Sequence, residues 1–197
     1  MEKNNSNNVE IWKDIPGYEG LYQVSDLGNV KSLDRRVVKN DGRVTNYKSK
    51  MLKTFTTGKN RLYVNLTSKG KMKKYQVHVL VALAFIGERP EGYDVCHIDG
   101  NSLNCKLSNI KYDTRNQNGI DIYRYGKKAG PGKLTIEQVI EIRNLYSTGN
   151  YKQKELAKIF KVSQSSIWNI INRKRFAWLN DDGSITETST AIKYYSA

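Results

Sequence analysis

Apolar and polar positions divide the chain into a strand-rich first half and a helix-rich second half. Between Glu10 and Leu33, aromatic and branched residues alternate with Pro-Gly, Glu-Gly and Gly-Asn turns, the punctuation of short strands in a small sheet. Residues 61–67 and 73–77 alternate on either side of a Ser-Lys-Gly-Lys turn and predict a hairpin with one apolar and one cationic face. Residues 77–85, rich in Val, Ala and Leu and followed by Gly87, predict a short buried helix. Further on, Val95 and Ile98 bracket His97 in a short strand. A loop dense in Asp, Gly and Asn follows, and alternation resumes from Leu107 to Tyr112. Thr114 offers an N-cap oxygen and Gln117 a reciprocal partner three residues on, so a helix begins there with Asn118 in its first turns.

The second half changes period. Thr135 and Gln138 form a capping box, Leu134 and Val139 a hydrophobic staple, and Ile140, Ile142, Leu145 and Tyr146 give the helix they open an apolar side. Leu156, Ala157 and Phe160, then Val162, then Ile167, Ile170 and Ile171 behind the cap Ser163, have the spacing of a helix-turn-helix, with small Ala157 where the two helices approach most closely. Lys161 stands at the usual turn glycine and must turn left-handed, at a cost of ~1 kcal/mol. A plain three-helix bundle is the alternative. The basic run Arg173-Lys174-Arg175 just past the last helix favours the DNA-binding form.

The expected class is therefore α+β, built as modules rather than as one large core. Residues 1–9 lack periodicity and are expected to be disordered, residues 10–56 to form a small N-terminal β-sheet module, and residues 57–125 a strand-and-helix core. A flexible basic linker is expected over 126–132 and the three-helix module over 133–179. The tail, residues 180–197, receives neither structure nor role.

Charge narrows the class of partner. A formal net charge of +14 and a pI near 9.7 point to a polyanion, with nucleic acid in the lead. Lysines and arginines crowd residues 31–78 against only Asp34 and Asp41, with Tyr47, Phe55, Tyr63 and Tyr75 interleaved. Lys73, Lys74, Arg173, Lys174 and Arg175 are candidate phosphate contacts. Gln164, Ser165, Ser166 and Asn169, opposite the apolar side of the last helix, are candidate readers of base edges. RNP and KH patterns are absent, so double-stranded DNA is the expected partner rather than RNA. No run approaches the ~18 apolar residues of a membrane span. The N-terminus is polar, and the chain is expected to be soluble and cytoplasmic. The oligomeric state is left open, the monomer being favoured. Cys96 and Cys105 form no Cys-x-x-Cys pair, so neither a disulfide framework nor a zinc knuckle is indicated; both read as reduced thiols, with a ligand role open for Cys96.

The order strand, loop, strand, helix around residues 94–118 carries the chemistry. It can bring His97 opposite Asn118, with Asn109 close behind the imidazole. One imidazole and a helix-borne amide oxygen suit a one-metal phosphodiesterase, in which the imidazole deprotonates water and a hard divalent cation sits on the scissile phosphate. His97-Ile-Asp-Gly-Asn, Asn104, the run from Ser108 to Thr114, and Asn118 resemble the HNH endonuclease motif of phage and intron-encoded homing nucleases. The pattern from Trp12 to Ser32 resembles the small modular repeat that often precedes it.

The resemblance implies a ββα-metal fold with His97 as general base, Asn109 orienting it, Asn118 as metal ligand and Mg²⁺ or Mn²⁺ as cofactor. His78 resembles the histidine that opens the family's core helix, and a core or capping role is set against a catalytic one. Some members carry Asp just before the catalytic histidine as a second ligand. Here that position is Cys96, a softer donor than Mg²⁺ prefers. The leading expectation is a metal-dependent DNA endonuclease, and the alternative a non-catalytic helix-turn-helix DNA-binding regulator.

Overall fold

Strands of three or four residues gain little alone and need a shared apolar face. In the computed structural model, which describes residues 9–38, 41–58, 60–124, 134–186 and 192–193, the N-terminal strands find one. β1 (Trp12–Asp14), β2 (Tyr22–Ser25) and β3 (Val30–Ser32) form an antiparallel meander. β4 (Arg35–Val38) and β5 (Val44–Tyr47) then pair as a separate exposed hairpin, and β6 (Lys50–Met51) returns to β3. β7 (Phe55–Thr57), β8 (Arg61–Ser68) and β9 (Lys71–Gln76) make a second antiparallel sheet. β8 and β9 are the expected hairpin, in a register that runs from Tyr63 opposite Gln76 to Ser68 opposite Lys71.

The apolar run 77–85 is the helix α1 (Val77–Phe85), with Val77, Leu80, Val81 and Ala82 all buried. It lies in a core that also takes Ile15, Tyr22, Val24 and Val30 from the N-terminal strands, Val64 and Leu66 from β8, and Leu107, Ile110 and Tyr112 from the motif. The boundary expected between residues 56 and 57 falls inside β7, and side chains from both sides of it share this core. Burial of this apolar face supplies most of the stabilisation of such short strands.

β10 (Tyr93–His97) and β11 (Ile110–Thr114) pair antiparallel, and α2 (Arg115–Arg124) follows directly on Thr114. β12 (Ile192–Lys193), from the tail to which the sequence assigned nothing, pairs with β11 at Lys111 and Tyr112. The folded chain forms two compact units, one running to Arg115 and including β12, the other beginning at Asn116.

The second unit contains α3 (Ile136–Ser147), α4 (Gln153–Ile159) and α5 (Gln164–Ile171). Thr135 and Gln138 make both bonds of the capping box, and Ser163 accepts from the Ser166 backbone N–H at the start of α5. Lys161 adopts φ 53°, the left-handed turn expected between α4 and α5. Val139, Ile142, Leu156, Ile167 and Ile170 form the core, completed by Phe176 and Leu179 beyond α5. Tyr123 of α2 packs in the same unit, edge-on to Phe176. The linker expected over 126–132 lies outside the described residues, as do residues 1–8. Among the described residues no helix is long and apolar enough to cross a membrane.

Candidate active site

His97 closes β10, in register with Ile110, and the ladder continues one step as the Ile98 N–H donates to the Asn109 carbonyl at 2.8 Å. Asn109 ends a 3₁₀ turn, Leu107–Asn109, just before β11. Its side chain ties the intervening loop together. Oδ1 accepts from the Asp99 N–H at 2.9 Å, and Nδ2 donates to Asp99 Oδ1 at 2.9 Å and to the Asn104 carbonyl at 2.8 Å. Asn104 Nδ2 donates to the other Asp99 oxygen at 2.7 Å, and the Asn101 N–H to Oδ1 at 2.7 Å. The density of Asn and Asp in the loop thus has a mechanical reason: short amide and carboxylate groups replace a sheet ladder that the loop cannot make. Desolvation raises the Asp99 carboxyl, but the bonds from Asn104, Asn101 and Asn109 outweigh it and leave its pKa below the usual value.

The imidazole of His97 is half-buried and packs on that of His78, ring centroids 4.6 Å apart at 47°. His78, the second residue of α1, is 1% exposed, and Arg61 donates to its Nε2 at 3.1 Å and to Gln76 Oε1 at 3.1 Å. Burial lowers the pKa of His97, and the Arg61 charge lowers it further against the opposing pull of Asp99. Burial likewise brings His78 down to about 3, with His97 and Arg61 acting in the same direction. Both rings are therefore neutral near pH 7. For His97 that is the state from which a base accepts a proton.

The thiol beside these rings is Cys105, not Cys96. The Cys105 sulfur and one nitrogen of each imidazole lie within 4.8 Å of one another. The first sheet reaches this point directly: the Leu107 N–H donates to the Asp26 carbonyl at 2.7 Å, and Gly28, at φ 84°, sits so close that an added Cβ would lie 2.9 Å from Cys105 Cβ. Only glycine satisfies both the left-handed backbone and that approach.

Cys96 is 3% exposed, and its Sγ donates to the Asp94 carbonyl at 3.6 Å. Successive strand residues face opposite sides, so Cys96 and His97 do not share a face of β10. Opposite Cys96 stands Lys111, whose Nζ is 2.7 Å from the buried Asp113 carboxylate.

Asn118 lies half-buried on α2, in the second unit. Lys73 and Lys74 are exposed on β9, with Lys74 Nζ 5.1 Å from the centre of the Tyr63 ring. On α5, Gln164 and Ser165 are exposed. Ser166 is half-buried, its hydroxyl 2.9 Å from that of Ser163, and Asn169 donates from Nδ2 to the Ser165 carbonyl at 2.8 Å. Lys174 and Arg175 are exposed, whereas Arg173 is engaged by Asp181 at 2.5 Å. Sequence reasoning missed Trp168, 46% exposed on the same helix, and it missed Arg61 and Asp99. For Trp168 the signal was present: an aromatic residue out of phase with Ile167 and Ile170.

Comparison with known proteins decides the family. The NUMOD4 motif matches residues 10–67 and the HNH endonuclease model residues 75–120. The DNA endonuclease I-HmuI of Bacillus phage SP01 is 37% identical over 133 residues, 68% of this chain and 67% of that protein. The chain belongs to the HNH homing endonuclease family. The SPbeta prophage-derived putative HNH homing endonuclease YosQ of Bacillus subtilis strain 168 is 37% identical over 83 residues, 41% of this chain and 48% of that protein. A solved structure entitled DNA binding and cleavage by the HNH homing endonuclease I-HmuI matches 84% of this chain and 91% of its own, at 26% identity and a TM-score of 0.49.

HNH endonucleases generally use a divalent metal, and the two donors expected from the sequence suit a hard ion unevenly. The Asn118 amide oxygen is the kind of ligand Mg²⁺ or Mn²⁺ takes. The Cys96 thiol is soft, and its S–H is directed at a backbone carbonyl.

Proposed function

We propose that this HNH endonuclease is a metal-dependent enzyme that hydrolyses phosphodiester bonds of double-stranded DNA, with His97 as its general base. The observation that carries the reading is the placement of His97, half-buried at the end of the first motif strand beside the loop that Asn109 and Asp99 tie, where burial and Arg61 lower its pKa. His97 takes a proton from water, the water oxygen bonds to phosphorus, and the bond from phosphorus to the leaving oxygen breaks; that oxygen is then protonated from solvent. Asn109 acts as a positioning residue, through the loop it ties. Asn118 would contribute an amide oxygen to the divalent ion, which would supply charge neutralisation at the scissile phosphate. One such site cuts one strand, so the expected product from supercoiled plasmid is the open circle. Conversion with Mg²⁺ or Mn²⁺ and none in chelator supports the reading, and an unchanged plasmid under every divalent ion sinks it.

Cys96 favours a second reading, a DNA-binding regulator without catalysis. If Asn118 and water suffice for the ion, Cys96→Ser is close to silent and Cys96→Asp tightens metal dependence by roughly tenfold, the lower end of what partner groups contribute at metal sites. If the wild type is inert and Cys96→Asp cuts, the regulator reading stands.

Site choice is assigned to α5. Gln164→Ala and Asn169→Ala are each expected to relax preference for the cognate site by about 1–3 kcal/mol, the discrimination one bidentate side-chain-to-base pairing provides, leaving non-specific cutting in place. Equal loss on all sequences would reduce the module to added charge. Truncation at residue 133 is a poorer test, because it also removes β12 from the motif sheet. Affinity is expected to fall with salt at a log-log slope of about −0.9 per phosphate neutralised.

A further inference from the structure

We propose that His78, His97 and Cys105 form a second metal site, selective for a soft divalent ion such as Zn²⁺, and that filling it withdraws His97 from catalysis. The three donor atoms already lie within 4.8 Å of one another. Tetrahedral Zn²⁺, with bonds near 2.0–2.1 Å to nitrogen and 2.3 Å to sulfur, holds such donors about 3.3–3.6 Å apart, so a closure of roughly 1 Å completes the site. Three protein ligands leave a fourth position for water. Two imidazoles and a thiolate suit Zn²⁺ and not Mg²⁺, which separates this site chemically from the hard-ion position assigned to Asn118.

Each donor is prepared for a metal. Both imidazoles are neutral near pH 7, and with Arg61 donating to Nε2 of His78 the single proton of that ring sits on Nδ1. Nδ1 of His78 is buried without a hydrogen-bond partner among the described residues, an arrangement that costs free energy until something satisfies the atom. If the ion takes Nδ1, the ring proton moves to Nε2, and Arg61 gives up that nitrogen while keeping Gln76 Oε1. Cys105 Sγ receives the backbone N–H of His78 at the N-terminus of α1, where the helix dipole favours negative charge. Burial otherwise pushes this thiol up to about 11, so it stays protonated in the metal-free protein. As the sulfur–metal bond forms, the thiol proton leaves to solvent.

The inhibitory half of the proposal rests on His97 being the base; the site itself does not. The full chain is titrated with Co²⁺ as a spectroscopic stand-in for Zn²⁺. The wild type is expected to show a thiolate-to-cobalt charge-transfer band that Zn²⁺ displaces, that Cys105→Ser loses and that Cys96→Ser retains. With excess Mg²⁺ present, equimolar Zn²⁺ then suppresses plasmid nicking by the wild type. Cys105→Ser, referred to its own zinc-free rate, needs roughly 100-fold more Zn²⁺. Should Cys105→Ser fail to fold, alkylation of the wild type replaces it: Zn²⁺ is expected to protect Cys105 and not Cys96. Absence of the charge-transfer band, its survival in Cys105→Ser, or unprotected Cys105 overturns the site. A charge-transfer band with undiminished nicking at saturating Zn²⁺ keeps the site and overturns His97 as base. A wild type without nuclease activity defeats the proposed function, while the cobalt titration still decides the site.

Discussion

His97→Ala is expected to lower the cleavage rate about 10²–10⁴-fold, the usual worth of a positioned general base, while DNA affinity stays nearly unchanged. In the proposed mechanism the imidazole acts on water, and the phosphate contacts are assigned to other side chains, Lys73, Lys74, Lys174 and Arg175. Because the His97 ring packs against that of His78, centroids 4.6 Å apart, the alanine leaves a ring-sized space, and added imidazole is expected to restore part of the rate. A variant cutting at more than about a tenth of the wild-type rate would remove His97 from the base role.

The pH profile gives an independent readout. Burial and Arg61 lower the His97 pKa, so the wild-type acid limb is expected below the ~6.5 of free imidazole. Folding must be followed alongside it. His78 is at about 3 in the folded protein against ~6.5 unfolded, so the unfolded chain binds the extra proton between these values. Its contribution to stability is complete above ~6.5 and falls by about 1.4 kcal/mol per pH unit as pH drops toward the folded value. An acid limb that coincides with loss of ellipticity reports unfolding, and one that precedes it reports His97.

What the sequence made legible was local. The Thr135–Gln138 capping box, the left-handed Lys161 and the β8–β9 hairpin depend on residues three to a dozen apart, and each left a pattern of residue types. The loop between β10 and β11 belongs with them, since its Asn and Asp residues bond one another. Contacts distant along the chain left none. Ile192 and Lys193 pair with β11 across some eighty residues, and two residues carry no period. Cys105 meets His78 and His97 only because α1, the motif strand and its loop share one core, so a thiol that read only as reduced brings its sulfur within 4.8 Å of a nitrogen of each imidazole. Cys96, next to His97 in sequence, faces the other side of β10, and that alternation was legible once the strand was. The expected split at residue 57 could not register that Val24, Val64 and Ile110 pack together.

Arg143 is the second residue whose loss is expected to be severe, and its effect should stay within the second unit. It is 8% exposed on α3 and donates to three backbone carbonyls: Phe176 at 2.8 Å, Leu179 at 2.7 Å and Ile170 at 3.4 Å, with Asp181 Oδ1 also 3.4 Å away. These carbonyls belong to the end of α5 and the turn after it, where Phe176 holds φ 57°, a conformation unfavourable for an aromatic residue. The guanidinium fork pins that turn and thereby seats Phe176 and Leu179 in the core behind α5. Arg143→Met keeps length and apolar stem but strands the carbonyls, so a loss of about 3–5 kcal/mol is expected, as when one partner of a buried charged network is removed. Arg143→Lys keeps charge without the planar fork and is expected to recover less than half of it. Hydrogen exchange is the measurement. Amides of α5 should lose protection in Arg143→Met while those of β8 and α1 do not, and preference for the cognate DNA site should fall with them. Protection lost equally in both units, or a loss below about 1 kcal/mol, the range of an exposed ion pair, would show that Arg143 is not the pin of this turn.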